Sequence, residues 1–138
     1  MSQKRTDKLK RLVTVQHHME RMAEMELSKT THARQIVGEA MTDTLEALTS
    51  FNPVHQVFSG SYSSRYGRLQ VQDRQLANLQ EVNEIKLLKE RVKGEKLQEH
   101  FLDAQTLEDR ETEDKAIEDL MEIYLSGAAP ASSKLPEG

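Results

Sequence analysis

Phe51-Asn52-Pro53-Val54-His55-Gln56-Val57-Phe58-Ser59-Gly60-Ser61-Tyr62-Ser63-Ser64-Arg65-Tyr66-Gly67 is the stretch that divides this 138-residue chain. Pro53 lacks a backbone donor and pushes Asn52 out of the α region, so a helix arriving from the N-terminal side ends there. Behind it, Gly60, Gly67 and four serines carry turn chemistry. Residues 51–67 therefore read as a bend, with room for a short helical turn.

Upstream of the bend, Leu12, Val15, Met19 and Met22 follow 3-4-3 spacing, the seam of a helix that packs on another helix. The stripe weakens from Glu26 to Thr31 and resumes at Ala33, Val37, Met41, Leu45 and Leu48. Neither Pro nor Gly interrupts residues 4–37, and Gly38 costs only about 1 kcal/mol relative to Ala. This predicts one helix from about residue 6 to about 50, roughly 65 Å long at 1.5 Å per residue.

Downstream, apolar residues return at Leu69, Leu76, Leu79 and Val82, then Ile85, Leu88 and Val92, then Leu97, Phe101 and Ala104. The phase drifts between these groups, which predicts a coiled coil with stutters. Lys86–Glu90 and Arg91–Glu95 are i,i+4 pairs, worth tenths of a kcal/mol each. The second helix is expected over about 68–107, with an extension to about 125 on which Ile117, Leu120 and Tyr124 form a last apolar stripe. Residues 126–138 are small and Pro-containing and are expected to be disordered. The expected fold is all-α: one domain over 1–125, a long antiparallel two-helix coiled-coil hairpin with a short C-terminal helical extension. Its expected seam is Leu12, Val15, Met19, Met22, Ile85, Leu88, Val92 and Phe101.

Composition agrees. Hydrophobic residues are 36% and charged residues 30%, while Ala, Glu, Lys, Leu and Arg together make up 61 of the 138 positions. That balance suits long, thin helices rather than a sandwich, barrel or doubly wound sheet. No apolar run exceeds three residues, far short of a membrane span or secretory segment. With no Cys, disulfides, thiol nucleophiles and thiolate metal sites are excluded, a usage compatible with a reducing cytosol. The net charge of −4 argues against a dedicated nucleic-acid binder. It conceals an asymmetry: residues 1–34 hold eight bases against four acids, and residues 107–125 eight acids against two bases. Folding back would bring these ends together, and their opposite charge favours that register.

The chemistry-bearing residues do not form a catalytic pattern. None of His17, His18, His32, His55 and His100 has a Glu three residues before it, as a di-iron bundle requires, and no HExxH occurs. Gly60 and Gly67 enclose six residues where a phosphate loop needs four, and Arg68-Leu69 follows in place of Lys-Ser/Thr. Ser59 and His55 lack the nucleophile-elbow motif. No catalytic, cofactor-binding or metal-binding residue is therefore assigned, and no small-molecule substrate is expected.

Candidate binding residues are of two kinds. Phe51, Phe58, Tyr62 and Tyr66 are four of the six aromatic residues and all fall in the bend, where exposed rings suit partner binding and packed ones would form a small local core. Lys8 and Arg11 in the basic lead, with Glu111 and Asp114 in the acidic segment, are candidate charged docking residues. The basic lead offers a membrane surface only a peripheral contact.

Taken together, the basic lead into an unbroken helix (Lys8-Leu9-Lys10-Arg11-Leu12-Val13-Thr14-Val15-Gln16), the mid-chain break, and a second helix with Gln72-Asp73-Arg74-Gln75-Leu76-Ala77-Asn78-Leu79-Gln80 resemble the FliJ and YscO families. These are small coiled-coil stalk proteins of flagellar and type III secretion export systems, and the resemblance covers roughly residues 4–110. It implies a non-enzymatic cytoplasmic protein, peripheral to the inner membrane, whose hairpin inserts in an export ATPase ring and contacts the export gate and export chaperones. The competing reading is a coiled-coil adaptor or scaffold, monomeric or homodimeric, that binds a partner helix.

Overall fold

The computed structural model describes residues 2–127. Helix α1 is Ser2–Thr49, α2 is Pro53–Val57 and α3 is Ser59–Ser126, and there is no strand among the described residues. No helix among them is long and apolar enough to cross a membrane. The expectation of disorder over 126–138 falls almost wholly outside the described residues; Ser126 itself is the last residue of α3.

The chain leaves α1 where Pro53 dictates. The Thr49 hydroxyl donates back to the carbonyls of Leu45 (3.0 Å) and Glu46 (3.2 Å). Asn52 is extended (φ −64°, ψ 125°), and its side chain accepts the Val54 N–H at 3.0 Å. Pro53 then occupies the first helical position, where a missing N–H breaks no intrahelical bond.

The bend is shorter than the expected 51–67. α3 begins at Ser59, and the Tyr62 N–H donates to the Phe58 carbonyl at 3.0 Å. Gly60 and Gly67 lie inside the helix. The reason is side-chain spacing. Tyr62, Tyr66 and Leu69 are half-buried at 4-3 spacing, so they extend the packed face of α3 and outweigh the weak helix propensity of their Ser and Gly neighbours. At the other end, α3 passes residue 107 without a break and runs through the acidic segment.

Packing divides the described residues into two compact units. One unit groups α1 through Thr14 with α3 from Glu95 onward, its covered α3 positions ending at Glu108; the other is Val15–Gly94. A series of covered positions runs through 6, 9, 13, 16, 20, 23, 27, 30, 34, 37, 41, 44 and 48 on α1, where 33, 38, 40 and 47 are half-buried beside it, and through 62, 66, 69, 73, 76, 80, 83, 87, 90, 94, 97, 101, 104 and 108 on α3, where 77 is half-buried beside it. Both sets alternate 3 and 4 residues with no interruption, so the expected stutters are absent.

This register overturns most of the expected seam. Leu12, Val15, Met19, Met22, Ile85, Leu88 and Val92 are exposed, and of that set only Phe101 lies on the covered face. On α1 the displacement is one residue, Val15 being 54% exposed beside Gln16 at 6%; on α3 Leu88 is 63% exposed beside Leu87 at 7%, while Ile85 and Val92 stand two residues from the nearest covered positions. Polar residues at covered positions cause the shift. Gln16, Thr30, Thr44 and Asn83 are buried alongside Val37, Leu87 and Ala104.

Burying a polar group costs free energy unless it finds a partner. Within the Val15–Gly94 unit these groups find theirs. Gln16 Nε2 donates to the Glu90 carbonyl (2.8 Å) and carboxylate (2.7 Å). Asn83 Nδ2 donates to Thr30 Oγ1 (2.8 Å), which itself donates to the Glu26 carbonyl (2.9 Å). Arg34 reaches both Asp73 (3.1 Å) and Gln80 (3.3 Å). Gly94 belongs to the same scheme: a Cβ there would collide with the Glu20 carboxylate. In the other unit the Thr6 hydroxyl donates to Glu108 at 2.5 Å.

Candidate partner-binding site

Around the bend, the aromatic residues split into two groups. Tyr62 and Tyr66 take covered positions of α3 and are half-buried. Tyr62 anchors a small cluster: the His55 ring meets it edge-on at 5.9 Å between centroids, and Phe58 lies tilted against it at 6.4 Å. His55 Nδ1 is buried there without a hydrogen-bond partner among the described residues. Phe51, by contrast, is 94% exposed, and Val54, Val57 and Phe58 are exposed as well. Packed ring and offered ring therefore coexist, a local core at Tyr62 with an apolar rim outside it.

That rim can do one kind of chemistry. Exposed apolar side chains set on a short capped helix form a surface that gains free energy when a partner removes it from water. His55, Phe58 and Tyr62 fix the position of the rim relative to α3, while Phe51, carried on the non-helical residues before α2, is held by no ring contact among the described residues.

The four charged candidates do not converge into a site. Lys8, Arg11, Glu111 and Asp114 are all exposed, and none of them takes part in an ion pair among the described residues. The Thr6–Glu108 contact nonetheless places the basic start of α1 alongside the acidic part of α3, within one unit.

The ionisable group with a distinctive setting is one that sequence reasoning missed. Glu90 has its carboxyl held below the ordinary value of 4.5, first by the hydrogen bond from the Gln16 amide and then, against some desolvation, by the Lys93 ammonium at 3.5 Å. The signal that would have found it is the single seven-residue frame shared by Leu9, Leu27, Val37, Met41 and Leu48 on α1, which puts Gln16 on the covered face. Among the described residues no cluster of three His, Asp or Glu side chains is arranged to hold a metal ion. A shallow depression beside Gly67 is lined by Met41, Gln70, Val71, Arg74 and Ala77.

No protein-family model, no curated protein and no solved structure matches this chain.

Proposed function

We propose that this chain is a non-enzymatic antiparallel coiled-coil hairpin that serves as a stalk in a flagellar or type III protein export apparatus. In this reading it couples an export ATPase ring to the export gate and to export chaperones, in the cytoplasm at the periphery of the inner membrane. The observation that carries the hairpin is the order of cross-helix contacts in the Val15–Gly94 unit. As the α1 partner advances from Gln16 to Thr30 to Arg34, the α3 partner recedes from Glu90 to Asn83 to Gln80. Two helices paired in that order around a bend form the kind of element that can enter a ring and present its tip, and the exposed Phe51, Val54 and Val57 supply an apolar tip. The sequence resemblance supplies the export context.

The experiment is hydrolysis of ATP by a purified export ATPase from the same source, with and without this protein, together with co-elution of the two. Stimulation near equal stoichiometry, weakened by Phe51→Ser with Val57→Ser, supports the stalk. Absence of both effects, with helicity verified by circular dichroism, removes it.

A second reading, a coiled-coil adaptor, is favoured by one observation: Val15, Met19 and Met22 form an apolar row that faces away from the seam. Such a row suits a partner helix laid alongside the pair.

A further inference from the structure

The last helical turns of α3 are uncovered among the described residues. In their unit Thr6 meets Glu108, and beyond that contact every residue from 109 to 126 is exposed. The segment is nonetheless amphipathic. Ile117, Leu120, Met121 and Tyr124 stand at i, i+3, i+4 and i+7, one face of a helix, and Tyr124 is 77% exposed. Asp114 and Glu118 edge that face. This is the form of a helix that docks through three or four anchors into an apolar groove.

A complementary surface exists in the Val15–Gly94 unit. The Glu24–Arg91 ion pair (3.3 Å) closes one flank of the seam. Val15, Met19 and Met22 lie on the opposite flank of α1, Met22 being 66% exposed. In helices paired in opposite directions, equivalent heptad positions share a flank, which puts Lys86, Lys89 and Lys93 on that side of α3. Lys93 is shared with Glu90; Lys86 and Lys89 have no ion-pair partner among the described residues. The apolar row from Val15 to Met22 and the one from Ile117 to Tyr124 have equal length, about 10 Å at 1.5 Å per residue. One row is edged by lysines and the other by carboxylates.

We propose that two copies of this chain associate by laying the Ile117–Tyr124 face of one copy onto the Val15–Met22 face of the other, with Asp114 and Glu118 against Lys86 and Lys89. Both halves of the contact are present in every copy, and the contact is independent of any role in export. Four anchors against a flat row make a small interface, so the association is weak, in the range of about 10 µM to 1 mM.

Size-exclusion light scattering and analytical ultracentrifugation across that range test it. The wild-type protein shows mass rising with concentration. Leu120→Glu and Met19→Glu, both at exposed positions and both verified as helical, each weaken association about tenfold or more. The decisive arm uses charge reversal. Lys86→Glu/Lys89→Glu and Asp114→Lys/Glu118→Lys each lose self-association, and mixing the two restores it. A monomer throughout the range overturns the proposal, as does association that survives Leu120→Glu. Failure of the mixed pair to associate overturns it too, and dependence on Phe51 in place of Leu120 moves the interface to the bend and does the same.

Discussion

Two stretches of α3 have nearly the same sequence character and opposite fates. Residues 80–94 mix apolar and charged side chains at helical spacing, and so do residues 112–126. The first stretch buries Asn83 and Leu87 and half-buries Gln80, Glu90 and Gly94; the second buries nothing. What separates them, among the described residues, is a facing helix. A 3-4 pattern states that a helix has a sticky face, but the cover comes from register, and register is decided across the whole pair. In residues 80–94 the cross-helix hydrogen bonds of Asn83 and Glu90 choose the covered face, against the more hydrophobic Ile85, Leu88 and Val92 beside it.

The largest effect expected from this comparison lies between neighbours. Leu87→Ala removes a buried side chain and lowers stability by about 2–3 kcal/mol, the lower part of the range for core leucines because a two-helix layer collapses easily around a small cavity. Leu88→Ala, and Leu120→Ala in the uncovered stretch, stay within about 0.5 kcal/mol in dilute protein. Urea unfolding followed by circular dichroism measures all three. A larger loss for Leu88→Ala than for Leu87→Ala would mean that the helices pair one residue out of step with the register described above, and the comparison would break.

A smaller contrast tests the bend. Tyr62→Ala removes the ring that His55 and Phe58 contact and lowers stability by about 1–2 kcal/mol, an aromatic truncation at a half-buried position. Phe51→Ala, at a fully solvated ring, leaves the unfolding midpoint unchanged. Equal losses at both positions would show that Phe51 packs in solution and would remove it as a binding residue.

Smaller still is the effect of the buried amide. Asn83→Ala leaves Thr30 with its Glu26 partner alone and costs about 1 kcal/mol. Asn83→Leu, which fills the layer with apolar volume, recovers the wild-type midpoint or exceeds it, because a satisfied polar group in a seam favours one register more than it favours stability. The readout is the same unfolding curve. A Leu variant that melts well below the Ala variant would mean that the Asn83–Thr30 bond is itself a main source of stability.

Much of the architecture was legible in the chain. Pro53 and Asn52 marked the end of α1, and the run free of Pro and Gly from 4 to 37 marked its length, because both signals are local and steric. The extension to about 125 was legible in Ile117, Leu120 and Tyr124. The start of α3 was not. Gly60 and the serines around it suggest a turn, and only the reach of Tyr62 and Tyr66 onto the covered face recruits them into helix. The seam was lost for a related reason. Counting only apolar residues favours Leu12, Val15, Met19 and Met22, which fit 3-4 spacing over a short window. The true frame passes through Gln16, Glu20, Thr30 and Arg34; Gln16, Thr30 and Arg34 find partners on α3 or a neighbouring carbonyl, and Glu20 lies against Gly94, where a side chain would collide with it. Of the bend aromatics, sequence marked the place but not the division between packed Tyr62 and exposed Phe51, which depends on where α2 turns.

The finest test of the covered stretch is its acid response. Glu90 has its carboxyl lowered below 4.5 in the folded protein, chiefly by the Gln16 amide. A depressed folded value means that ionised Glu90 favours the folded state. That contribution is complete above the unfolded-state value, near 4.5, and is lost as pH falls through the lower folded value. Gln16→Leu removes the donor, so the part of the wild-type advantage that depends on Glu90 is present at pH 7 and shrinks as pH drops below about 4.5. Glu90→Gln removes the titrating group and flattens the same difference. Urea midpoints of wild type and both variants between pH 7 and pH 3 measure it. A wild-type advantage over Gln16→Leu that holds constant across that interval would show that Gln16 acts through packing and its bond to the Glu90 carbonyl alone. The carboxylate would then be a passive occupant of the seam, no different in kind from the exposed acids at the end of α3.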